Sequence, residues 1–237
     1  MGKAGETADD IRQWLNIRFA DDAFATPAAA WATAAGTRDV LSATIDPLTD
    51  APALDGEMPT FIVAAVSRGL GLHDATWREG HVSNRHAVWP LLRSLLDTLL
   101  VTLEVRRNPA YVSVVILHPS EWKPKDRRFG SQRLISRSSI EGPGIPAMWS
   151  YLSEAAHFGW VAFVQSVVGS HPASPGMVTL SMSTDPQWVE ANEEISAAVH
   201  LARLTLALAQ TVQKVIDDHS EAMGLPEPDK PPVSEPD

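Results

Sequence analysis

The sequence predicts an all-α protein, an antiparallel helical bundle with at most one short β-hairpin near residues 160–183. Three observations carry this. Apolar residues recur at steps of three and four through two long segments, near 83–107 and 187–219. Helix stop signals sit where those segments end, as at Asn108-Pro109. Stretches that alternate as a strand should are few and short.

From the N-terminus, Asp9–Phe19 reads as a short helix whose apolar face includes Trp14, Leu15 and Phe19. Ala28–Ala35 is alanine-rich, and Pro27 suits a first helical turn. Asp46–Pro59 holds three prolines and several acids and reads as a loop. Thr60 is placed to cap a helix to about Leu70, with Gly69 and Gly71 weakening its end. Ser83 or Asn84 caps the next helix, which carries Val88, Leu92, Leu95, Leu96, Leu99 and Leu103 on one face; Pro90 marks a kink or a restart. Arg106 and Arg107 at its end complement the helix dipole.

Tyr111–Leu117 is rich in β-branched residues and fits strand or helix, as does Trp160–Val168. Lys123–Ser139 reads as a basic loop, Ala147–His157 as a helix, and Met177–Ser183 as a short strand. Asp185-Pro186 starts the last helix, with Ile195, Val199, Ala202, Leu206, Ala209, Val212 and Ile216 as its stripe. The whole reads as one helical domain over 1–222. Helices within 8–72 lie at its periphery and the core spans 80–219. A disordered, proline-rich acidic tail follows over 223–237, with five prolines from Gly224 onward.

Composition narrows the function classes. At 44% hydrophobic and 20% charged, the 237 residues suit a folded chain. A net charge of -10 disfavours broad binding to nucleic acid or anionic membrane, where cationic side chains supply the affinity. The absence of cysteine removes disulfides, thiolate metal sites and thiol nucleophiles, and fits a cytoplasmic setting. The N-terminal stretch lacks the apolar core of a signal peptide, and Glu6 stands where an acylation signal needs Ser or Thr. Arg93, Asp97 and Glu104 interrupt one apolar segment and His200, Arg203 and Gln210 the other, so both read as core helices rather than membrane spans. No Gly-x-Gly-x-x-Gly, Walker-type loop or Gly-x-Ser-x-Gly elbow occurs.

Four residues stand out as a candidate site. Arg93 and Asp97, four apart amid leucines, must find partners. Glu154 and His157, three apart, project from one helical face. Together they suit either acid–base chemistry or a structural ion-pair network, and the structural reading comes first. The Glu-x-x-His spacing is that of di-iron bundles, which need two such pairs; this chain has one, so no metal and no cofactor is expected.

The pairing of Arg93-Ser-Leu-Leu-Asp97 with Leu152-Ser-Glu154-x-x-His157 resembles a family of uncharacterised bacterial helical proteins, with a likeness over about residues 80–219. Asp97 stands where that family's pattern has Glu. The resemblance implies a helical fold and singles out these residues, but supplies no reaction. Such bundles are also similar in outline to helical ribonuclease domains of toxin–antitoxin and phage-defence systems, which use an Arg and a His. Arg68-Gly-Leu-Gly-Leu-His73 is a loose match, with glycine where a polar residue belongs. Finally, Lys123, Lys125, Arg127, Arg128, Arg133 and Arg137 concentrate cations beside Trp122 and Phe129, which suits phosphate contact and base stacking as well as a solvated loop.

The expected function is therefore a non-enzymatic, interaction-type bundle protein whose partner is a second copy or another protein. The alternatives are an RNA-directed nuclease of defence type, acting on nucleic acid through the basic loop, and a small-ligand or metal binder.

Overall fold

A computed structural model describes residues 19–49, 56–116, 131–138, 144–156, 188, 190–220, 223 and 225. Every regular element among them is a helix: α1 Pro27–Ala43, α2 Asp46–Thr49, α3 Glu57–His81, α4 Arg85–Arg107, α5 Tyr111–Val115, α6 Ser131–Ser138, α7 Gly144–Ala156 and α8 Ala191–His219. The all-α expectation holds. Asp9–Ile17 and Arg18, the hairpin near 160–183 and most of the tail lie outside the described residues.

Several boundaries differ from those the sequence suggests, for identifiable reasons. Thr26 caps α1 by accepting from the Ala29 amide, and the helix runs on to Ala43 because Ala30, Trp31, Ala34, Thr37 and Leu41 form a continuous buried face. Asp46–Pro59 is not all loop: Asp46–Thr49 makes a helical turn and α3 begins at Glu57, with Pro59 in its first turn where a missing amide costs nothing. Helix α3 passes straight through Gly69 and Gly71 to His81. Gly69 lies where helices cross, since a Cβ there would come within 2.6 Å of Leu208 and 3.0 Å of Leu41. Tertiary packing overrides propensity at that point.

Asn84 precedes α4 without capping it; its side-chain amide donates to Glu79 instead (2.7 Å). Pro90 sits inside α4, where the hydroxyl of Ser94 donates to the proline's carbonyl (3.0 Å). Tyr111–Val115 is helical, with Tyr111 and Val112 buried. Ser131–Ser138, read as loop, is a helix that docks Leu134 and Ile135 into the core.

Residue pairs give the helix directions. Trp31 of α1 meets Glu194 at the start of α8, while Leu41 and Leu208, further along each, meet over Gly69. On the other side Arg85 pairs with Glu193 and, at the far end, Arg106 with Asp218. Thus α1, α4 and α8 share one direction and α3 opposes all three, so the bundle is only partly antiparallel. Because α4 and α8 are parallel, the chain between them must return along the bundle's length, and α5, α6 and α7 lie within that crossover.

Helix α8 packs on α1, α3 and α4 at once. It is therefore buried on several sides, and its core positions, including Ala198, Leu201, Thr205, Leu208, Val212 and Val215, exceed the expected stripe, of which Ile195, Val199 and Leu206 are only half-buried. By length and composition α8 is apolar enough to cross a membrane, but 61% of its most apolar window is buried inside the fold. Nor are the N-terminal helices peripheral: Ala30, Trp31, Ala34, Phe61, Ile62 and Val66 belong to the same core as Leu96 and Leu208. Met223 and Leu225 are buried too, so packing extends past residue 222.

Buried hydroxyls do not leave orphaned atoms at most positions. Thr37, Thr76, Thr98, Thr102 and Thr211 each donate to a carbonyl three or four residues back, the local solution helices offer to buried threonine.

Candidate functional site

The residues singled out by sequence part company in the structure. Arg93 reaches from α4 to α7: its Nε donates to the Ser153 hydroxyl (2.8 Å), its guanidinium lies over the Trp149 ring (4.5 Å to the centroid), and it pairs with Asp97 one turn on. The predicted meeting of α4 with the Leu-Ser-Glu segment thus occurs. Its partner there is Ser153, however, and Glu154 is exposed on the next position round the helix. His157 lies outside the described residues.

Arg68 and His73 are not brought together. Arg68 is exposed and donates across to the Thr98 hydroxyl on α4 (3.2 Å). His73 is buried at 1% exposure, with Nε2 3.0 Å from the Ala34 carbonyl of α1, so that nitrogen carries the proton and donates. A helical offset of five turns the two side chains to different neighbours. Asp74 beside it is exposed; partial burial raises its carboxyl, but the hydrogen-bonded Arg38 guanidinium, with the neighbouring His73, outweighs this and holds it below its ordinary value.

Of the basic segment, Lys123, Lys125, Arg127 and Arg128 lie outside the described residues, as does the Arg133 side chain. Arg137 is engaged: it pairs with Glu104, a carboxylate 2% exposed that Arg107 also reaches (3.3 Å). A buried carboxylate between two guanidiniums is a structural tie that holds α6 against α4.

A second group, which sequence reasoning did not assemble, forms at the junction of α4, α7 and α8. Arg85 and Trp89 stand one turn apart on α4, and Glu193, Ser196 and His200 follow at steps of three and four on α8. Tyr151 reaches in from α7. Trp89, 1% exposed, is ringed edge-to-face by Tyr151 (5.5 Å), Trp188 (6.3 Å) and His200 (6.3 Å), and Tyr151 and His200 lie nearly parallel, 6.2 Å apart. Arg85, its side chain 5% exposed, pairs with Glu193 at 3.6 Å.

Electrostatics mark this junction. Burial lowers His200, with Arg203 adding to it and the Ser196 carbonyl opposing. That carbonyl accepts from Nδ1 at 2.6 Å, so the neutral ring keeps its proton on Nδ1 and presents Nε2 as a lone-pair acceptor. Burial raises the Tyr151 phenol, and the Glu193 carboxylate raises it further. His86 is lowered by partial burial and by Arg85, with Glu193 in opposition. Glu193 Oε1 and the Trp89 indole N–H are among the buried atoms here that make no hydrogen bond among the described residues.

No group of three or more His, Asp or Glu side chains placed to hold a metal occurs among the described residues. Compared with protein-family models, curated proteins and solved structures, the chain matches none.

The signal that would have found this junction was in the sequence. His200 interrupts the most apolar helix, and Glu193, Ser196 and His200 share a face. What the sequence lacks is the parallel pairing of α4 with α8, which sets that face against Arg85 and Trp89.

Proposed function

We propose that this chain is a non-enzymatic, cytoplasmic helical-bundle protein that works by binding, and that its ligand docks at the α4–α7–α8 junction. One observation carries the reading: Tyr151, Trp188 and His200 close on the buried Trp89 beside the Arg85–Glu193 pair, and the two titratable rings among them, Tyr151 and His200, are displaced from their ordinary ionisation by burial. Displaced ionisation concentrates at functional sites because burial and charge are arranged there for a purpose. Tyr151 keeps the junction in reach of solvent, at 36% exposure.

Small-ligand binding, rather than RNA cleavage, is thereby the reading with the most residues behind it. The Arg–His pair a nuclease would use is divided between an exposed arginine and a histidine buried on a backbone carbonyl.

Saturation-transfer NMR of a fragment library against wild type and Tyr151→Ala tests the proposal. Hits should appear with wild type and vanish with the variant at unchanged melting temperature. Cleavage of total RNA by the wild type, abolished in His157→Ala or His73→Ala protein that remains folded, would overturn it.

A further inference from the structure

The geometry points to α6 and α7 forming a single cover that lifts from α4 while the rest of the bundle stays folded, baring the strip of α4 between Trp89 and Glu104. This stands apart from what the junction binds, because the opening needs no ligand.

The cover rests on one support. Helices α6 and α7 pack on α4 and on each other, whereas α1, α3, α4 and α8 each pack on at least two others of that set. Little apolar surface holds the cover down. Ile145 and Leu152 are the buried residues of α7's thirteen, and Leu134 and Ile135 are buried in α6; α8, by contrast, buries thirteen of its twenty-nine. Segments with few buried apolar contacts open at a lower free energy than the whole fold.

Two ionic latches add to this, and each can be released without stranding a charge. At the α7 end, Arg93 of α4 donates to Ser153 and lies over the Trp149 ring, but it also pairs with Asp97 on its own helix. At the α6 end, Glu104 of α4 pairs with Arg137, but also with Arg107 on its own helix. Breaking a buried ion pair is costly because it leaves an uncompensated charge in the interior. Here the α4 member of each latch keeps an opposite charge one turn away when the cover lifts, while Arg137 and Ser153 pass to water. With about 3.6 residues per turn, Leu100 and Glu104 project within about 20° of Arg93. The fully buried Leu100 therefore lies under the cover, between the two latches. Trp89, which the Tyr151 ring of α7 meets edge-on, lies under its other end.

Hydrogen–deuterium exchange of the full chain, read by mass spectrometry at neutral pH, tests this. Amides of α6 and α7 should be protected at least a hundredfold less than those of α8 between Leu201 and Ile216, and to similar extents in the two helices. Because the cover moves as one piece, Arg137→Ala, which loosens α6, should speed exchange in α7 at least fivefold. Arg93→Ala should do the same in α6, with α8 unchanged in both variants. The chain has no cysteine, so a single introduced thiol reports which side chains become reachable. Leu100→Cys should react with a thiol reagent at least tenfold faster than Leu208→Cys, whose side chain global unfolding exposes; both melting temperatures are measured alongside. Protection of α6 and α7 equal to that of α8 in the wild type, a comparison that needs no variant to fold, would overturn the cover. Acceleration confined to the substituted helix would overturn it as well, since α6 and α7 would then be two separate pieces. Equal labelling of the two thiols at equal melting temperature would show that α4 is not bared.

Discussion

Two glycines in one helix should respond to the same substitution with opposite signs. Gly80 stands at the end of α3 against Trp31: a Cβ placed there runs into the far edge of the indole and comes within 2.9 Å of its Cε2. That ring cannot swing aside cheaply. It is 3% exposed, and its Nε1 donates to Glu194 at 3.0 Å, while the Gly80 carbonyl accepts from Trp188 (3.3 Å). Overpacking a core contact costs about 1–3 kcal/mol, and losing the indole hydrogen bond adds about 1 kcal/mol. Alanine's better helix propensity returns at most about 1 kcal/mol, less at a helix end. Gly80→Ala should therefore destabilise by about 2 kcal/mol. Gly71, nine residues earlier, has nothing within 4 Å of the same added carbon. There only the propensity acts, and Gly71→Ala should stabilise by about 0.5–1 kcal/mol. For a chain of this size each kcal/mol moves the melting temperature by roughly 2–4 °C. Differential scanning calorimetry should thus show one variant several degrees below wild type and the other a few degrees above. A Gly80→Ala protein as stable as wild type would refute the packing of α1 against the end of α3.

Further outcomes follow from the same contacts. Removing both Arg107 and Arg137 strands Glu104, and the double alanine variant should lose about 3 kcal/mol or more in urea denaturation, well beyond either single change, because each arginine alone still answers the charge. His200 has its folded pKa below the unfolded value of about 6.5, so the unfolded chain takes up the proton first. Its contribution is fully present above that pH and is lost as pH falls through the folded value; the urea midpoint should decline below neutrality, with a shallower decline in His200→Asn. His86, lowered likewise, adds in the same direction. His73→Ala should lower the melting temperature, since it removes a buried hydrogen bond and opens a cavity between α1 and α3; an unchanged melting temperature would contradict that buried contact.

Helices α4 and α8 are legible in the sequence because their apolar periodicity is long and their ends are punctuated. Boundaries fail where a local rule yields to packing. Gly69 reads as a helix terminus, yet it is the residue that lets Leu41 and Leu208 approach. The segment 131–138 reads as basic loop because its cations mask Leu134 and Ile135, the two side chains that dock it. For the site, the sequence identifies Arg93 and the segment it meets, but chooses Glu154 over Ser153, a neighbour one position away. Register at that resolution depends on how α7 is rotated, and apolar spacing over thirteen residues does not set it. Tyr151 and His200 come together only through the crossover, a long-range relation with no local signature.

That crossover also orders events in time. A chain emerging from the ribosome completes α1, α3 and α4 early, and three of their faces — Ala30 with Leu41, Ile62 with Val66, Leu92 with Leu96 — then wait for a helix that is synthesised last. The core has no sequential route to closure: the final helix must dock parallel to α4, after the intervening segment has travelled back along the bundle. Until then the nascent protein presents much of its future interior to solvent, the condition under which chaperone engagement and premature aggregation compete.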